Sequence, residues 1–144
     1  MTVPIRLSIA ERELPSGLTL LAVHNPGVQT FACVMSLDIR PGDEPADRSG
    51  LANLVGECLD EGTERRDALE LSAAVEELGA MMEGNHRGGM VLSPAAVAKD
   101  AIALLHEMTL EPAFPGREVR RVQAEVLTEI KAEDDDPRAV ASRR

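Results

Sequence analysis

Between Gly50 and Thr63 the chain carries Leu51, Leu54, Val55, Cys58 and Leu59 at helical spacing. That periodicity predicts an amphipathic helix, with Ser49 as its N-cap and Gly62-Thr63 as its stop. Asn53 and Glu57 lie one turn apart on the same side. A helix this short has little stability of its own, so its apolar stripe must be buried against other elements. The material for that burial is unusual. Hydrophobic residues make up 44% of the 144-residue chain, yet Phe31 and Phe114 are its only aromatic residues. The core must therefore be built from Leu, Val, Ala, Ile and Met, and the length suits one domain with one core.

The flanking segments predict what that core joins. Residues 1–10 read as a lead-in, and Leu14-Pro15-Ser16-Gly17-Leu18 as a turn. Thr19–His24 is a β-branched and aliphatic run that Asn25-Pro26-Gly27 breaks. Thr30–Ile39 is a second run, and the two are expected to form an antiparallel pair. Arg40–Arg48 is a polar loop. Asp67 caps a second helix, with Glu70 completing a capping box, Leu71, Ala74, Val75 and Leu78 as its stripe, and Gly79 as its stop. Ala80–Ser93 reads as two short strands about the turn Gly84-Asn85-His86-Arg87-Gly88-Gly89. Ser93 is expected to cap a third helix with Pro94 at its first position, turning Val97, Ala101, Leu104, Leu105 and Met108 inward. After the connector Leu110–Gly116, a fourth helix runs from about Arg117 to Ala132 with Val119, Val122, Val126 and Ile130 on one face. The expected fold class is α+β, an antiparallel sheet with helices packed on one face.

Several functions are disfavoured by composition. A net charge of −10 and the scarcity of aromatics leave neither a basic footprint nor a stacking platform, so no nucleic-acid partner is expected. No apolar run reaches membrane-spanning length, and no signal peptide is visible, so a cytoplasmic protein without a membrane partner is expected. Cys33 and Cys58 read as reduced, buried thiols rather than a disulfide framework. His24, His86 and His106 have no ligand-pair spacing. The glycine-rich turn lacks the lysine and Ser/Thr of a phosphate loop and reads as a hairpin turn.

In combination these segments resemble the insulinase family of metallopeptidases, which includes pitrilysin and the mitochondrial processing peptidase. The resemblance is carried by Leu14-Pro15-Ser16-Gly17-Leu18 with Asn25-Pro26, and by Gly42-Asp43-Glu44-Pro45 through Gly50-Leu51-Ala52. It continues through Gly62-Thr63, Leu78-Gly79-Ala80, Glu111-Pro112-Ala113-Phe114-Pro115, Glu125–Ile130 and Asp135-Asp136-Pro137-Arg138. It spans residues 11–144, which are expected to be an incomplete insulinase-family-like α+β domain, the first part of one such unit.

The resemblance implies a zinc site on the helix after Gly50-Leu51-Ala52, where the family carries His-x-x-Glu-His. Two histidines and a distal glutamate hold the metal, and the inner glutamate is the general base. Carried over, the ligand positions fall on Asn53, Glu57 and Glu129, and the base on Gly56. Only the distal glutamate is retained, so no catalytic residue is assigned and no cofactor is expected, although zinc is the family's. The stretch between Glu57 and Glu129 is also short for the family, with the deficit near Ala80–Ser93. The function implied is a non-catalytic homologue of an inverted-zinc metallopeptidase. It would act as a partner subunit or pseudo-enzyme that helps form a peptide-binding chamber, beside an active family partner or by self-association. The alternatives are a residual zinc-dependent endopeptidase with an altered site and a truncated, non-functional gene product.

Overall fold

The structure, a computed structural model, describes residues 8–39 and 43–135. In chain order the elements are β1 (Ser8–Glu13), β2 (Thr19–His24), β3 (Thr30–Ser36), α1 (Leu51–Glu57), α2 (Ala68–Glu77), β4 (Met81–Asn85), β5 (Gly88–Pro94), a 3-10 turn (Ala95–Val97), α3 (Ala98–Leu110) and α4 (Gly116–Asp135). The expected closing motif at Asp136-Pro137-Arg138 lies outside the described residues.

The core forms where α3 lies across β5. Strand alternation sends Phe31, Cys33 and Met35 of β3, and Val91 of β5, toward the helices. Ala101, Leu104, Leu105 and Met108, spaced at three and four, return from α3, and Leu71 and Val75 of α2 and Leu59 complete the cluster. Leu71 and Leu105 are fully buried, and each contributes about 1.5–3 kcal/mol by leaving water. Gly89 makes the close approach: a Cβ there would lie 2.7 Å from Met108 Cε and 2.9 Å from Leu105 Cδ1. The helices thus cover one face of an antiparallel sheet of order β3–β5–β4, as the α+β reading expects.

The strand pairing departs from expectation. β2 pairs with β1 from Ser8↔His24 to Glu13↔Thr19, and β3 pairs with β5 from Thr30↔Pro94 to Ser36↔Gly88. The reason is local. Gly17, at φ 84, donates to the Leu14 carbonyl, and Leu14 N–H donates to Leu18 O, so the turn folds residues 8–13 back onto β2. Ser8, Ile9 and Ala10 of the expected lead-in are therefore strand. Asn25 Oδ1 accepts from Gly27 N–H and turns the chain away before β3 begins. Every residue of β1 and β2 is exposed, as are Val34, Met81, Met90 and Leu92 on the outer face of the larger sheet.

Helix termini divide in the same way. α2 has the expected capping box between Asp67 and Glu70. It ends with Gly79 N–H on Glu76 O and Ala80 N–H on Val75 O, with Gly79 left-handed, which is a Schellman closure. Ser93 does not cap α3. It is a buried end residue of β5 whose hydroxyl donates to Pro94 O, and the 3-10 turn intervenes before the helix. The hairpin about Gly84–Gly89 forms as expected. Among the described residues, no helix is long and apolar enough to cross a membrane.

A polar knot ties the segment after α1 to α3. Glu107 is 4% exposed; its carboxylate accepts from Thr63 Oγ1 at 2.7 Å and is paired with Arg66. Thr63 Oγ1 also accepts from the backbone N–H groups of Arg65 and Arg66. Next to it, Arg65 makes a two-oxygen contact with Glu111. Burial alone would raise the Glu107 pKa, but the Thr63 and Arg66 hydrogen bonds hold the carboxyl below its ordinary range. A lowered folded pKa means that this stabilisation is complete above the unfolded glutamate pKa of about 4.3 and fades as pH falls toward the folded value. Glu107→Ala is expected to cost about 2–4 kcal/mol by urea denaturation at pH 7, because it strands the buried Thr63 hydroxyl and Arg66. The wild type should lose more stability between pH 7 and pH 3.5 than Glu107→Gln does.

Candidate functional site

α1 is built by an unusual start and a close contact at its end. Gly50, at φ 90, provides a left-handed entry that an L side chain rarely adopts. Ser49 makes no cap; the Glu44 carboxylate does, accepting from Gly50 N–H at 3.0 Å and Ala52 N–H at 2.6 Å. These bonds, that from Ala52 first, hold the Glu44 carboxyl below its ordinary pKa. A carboxylate suits the free N–H groups and positive end of a helix. The helix closes at Glu57, several residues before Gly62.

The apolar stripe is buried only toward its C-terminal end. Cys58 and Leu59 are 1% and 5% exposed, whereas Leu51 and Val55 are 40% and 36% exposed. The cause is the helix's seat: its contacts fall on β4 and α4, and Gly56 is the point of approach. A Cβ at Gly56 would lie 2.3 Å from His86 N and 2.5 Å from the Asn85 carbonyl carbon. On the other side, a Cβ at Gly84 would lie 2.9 Å from Leu59 Cβ and 3.2 Å from Gly56 O. The backbone of α1 therefore rests directly on the backbone of the β4–β5 turn, and no side chain fits between them.

The positions to which the family resemblance points lie on α1 and α4. Asn53 and Glu57 are exposed, Gly56 is buried, and Glu129 is exposed on α4. Glu129 lines a shallow, open groove with Arg121, Ala124, Glu125 and Thr128. Arg121 is engaged by Glu61 at 2.5 Å, Glu118 at 2.9 Å and Glu125 at 2.8 Å, which docks α4 on the segment after α1. On the same helix Val122 is buried, while Ile130, expected inward, is 48% exposed.

These residues do not fit zinc. Asn53 offers a neutral amide oxygen, Gly56 offers nothing, and zinc prefers imidazole or thiolate donors. Among the described residues, no three His, Cys, Asp or Glu side chains come together as a metal site requires. Cys58 is no substitute ligand: burial first, and then the carboxylates of Glu61 and Asp60, push its thiol pKa up and disfavour the thiolate. His106 lies 3.9 Å from Glu111, with the polar knot. His24 ends β2, and His86 lies in the β4–β5 turn.

Sequence reasoning missed Glu44 and the role of Gly56. Glu44 is remote from its partners in sequence, and no cap spacing announces it. Gly56 did carry a signal, since a glycine inside a helical pattern marks a close packing contact.

No known family model matches the chain. It is 24% identical over 133 residues to an uncharacterized zinc protease of Mycobacterium leprae, covering 90% of this chain and 30% of that protein. Its structure matches the peptidase M16 inactive domain from Pseudomonas fluorescens with a TM-score of 0.77 and 23% identity, over 94% of this chain and 34% of that one. The chain thus spans about a third of the length of each. The chain thus has the fold of part of a peptidase M16 domain, in agreement with the insulinase-type architecture that its sequence resembles.

Proposed function

We propose that this chain is a non-catalytic homologue of an inverted-zinc peptidase, acting as a partner subunit or pseudo-enzyme that forms part of a peptide-enclosing chamber. The observation that carries the reading is Gly56. At the position where the resemblance places the general base, the chain has no side chain, and the Asn85-His86 backbone fills the space one would need. General-base assistance is worth about 10²–10⁴ in rate, and its loss compounds that of the imidazole ligands at positions 53 and 57. The exposed β1–β2 hairpin and outer sheet face supply apolar surface of the kind that a partner covers. The name of the M16 relative, an inactive domain, agrees with this role.

The test is direct. The purified chain is incubated with an unstructured peptide and zinc, with and without chelator, and titrated with zinc, calcium and magnesium by calorimetry. No chelator-sensitive cleavage and no binding heat are expected. Cleavage that chelator stops and Glu129→Ala abolishes would establish the residual-peptidase alternative instead.

The steric half of the reading has its own measurement. Gly56→Ala is expected to destabilise the fold by about 3 kcal/mol in urea, the upper range for overpacking a tight contact, despite alanine's better helix propensity. A neutral Gly56→Ala would show that the contact yields and that a side chain is admissible there.

A further inference from the structure

Phe114, in the connector between α3 and α4, has a backbone conformation that its side chain disfavours. Its φ is 46, in the left-handed region, where a bulky residue is an outlier. Pro115 follows it, and a residue before proline prefers extended backbone. A strained residue persists where its surroundings over-determine it. Here both sides of Phe114 are held by four consecutive residues, 61–64. On the near side, Glu64 N–H donates to Glu111 O at 2.9 Å, Ala113 N–H donates to Gly62 O at 3.1 Å, and Thr63 bridges to Pro112. On the far side, the Glu61 carboxylate is paired with Arg121 of α4.

The two holds differ in kind. The first is backbone hydrogen bonding beside the buried Glu107 carboxylate, which accepts from the Thr63 hydroxyl. The second is an ion pair in a crowded setting. Arg121 gives Nε to Glu118, Nη1 to Glu125 and Nη2 to Glu61. Glu118 and Glu125 belong to α4 itself, so of these three it is Glu61 that ties the helix to another segment. Three carboxylates around one guanidinium leave surplus negative charge, which pushes Glu61 from α4 while Arg121 draws it in. The pair and the burial of Val122 favour docking of α4; carboxylate repulsion and the strain at Phe114 oppose it.

We propose that α4 is a strained arm latched by the Glu61–Arg121 pair: when the pair opens, Phe114 relaxes to extended backbone and α4 turns away from the segment that follows α1. The near hold stays closed in both states, so residues 111–113 remain on the body and the motion is confined to the Phe114-Pro115 joint. The device uses residues 61–125 and is independent of the proposed loss of catalysis.

The test is hydrogen–deuterium exchange of the 144-residue chain, read on the amides of α4, with those of α3 reporting that the body is folded. Exchange follows the population of the opened form, and a released α4, a single helix in water, frays. Phe114→Gly removes the left-handed penalty and is expected to slow α4 exchange roughly tenfold. Phe114→Asn, which also accepts this region, takes its place if α3 loses protection. Glu61→Gln weakens the pair and is expected to speed α4 exchange roughly threefold with α3 unchanged, and Arg121→Gln should act in the same direction. In the Glu61→Gln, Phe114→Gly double variant, α4 should return to the wild-type rate or below it. The proposal is overturned if relieving Phe114 leaves α4 exchange unchanged or faster while α3 stays protected, or if neither Glu61→Gln nor Arg121→Gln alters it.

Discussion

The seating of α3 on β5 is the contact on which the other elements depend. Ala101, Leu104, Leu105 and Met108 lie over Val91, and Gly89 lets the helix come close enough to exclude water. Apart from Phe31 at its margin, the core has no large flat side chains to bridge gaps. Its density must come from close backbone approach, and glycines in the strands make that approach. α2 then packs beside α3, and the buried Glu107 carboxylate extends the hold of α3 to the loop that follows α1. An ion pair of this kind contributes less through its own attraction than through the cost of separating it, so it fixes where that loop lies.

α1 belongs to the same scheme but is held more lightly. Glu44 satisfies its first N–H groups, Gly56 presses it to the β4–β5 turn, and Arg121 gathers the acidic side chains that join it to α4. Half of its apolar stripe remains in water. A helix with this balance is positioned by its C-terminal end and leaves its N-terminal half free to meet another surface.

How much of this was legible in the sequence depends on the range of the interaction. The α2 caps, the β4–β5 hairpin and the inward face of α3 were readable, because each is set by residues within a few positions of one another. Strand pairing was misread because the turn at Leu14–Leu18 and the break at Asn25–Gly27 offered two hairpins, and spacing alone does not rank them. Ser49 and Ser93 were sound local caps that tertiary context overrode: a distant carboxylate took the first role, and strand burial removed the second from helix duty. The candidate site positions come from family resemblance alone. Their exposure, and the contact at Gly56, required the fold.

The contact at Gly56 also constrains how the chain can change. A side chain there is accommodated only after the Asn85-His86 turn has moved away, and that turn is held by the pairing of β4 with β5. Substitutions that place donors at Asn53 or Glu57 act on exposed positions and meet no such barrier. The order of steps therefore matters: a glutamate introduced at position 56 first would unpack the helix before any ligand could reward it. The close packing therefore sets the order in which side chains could be introduced around this helix.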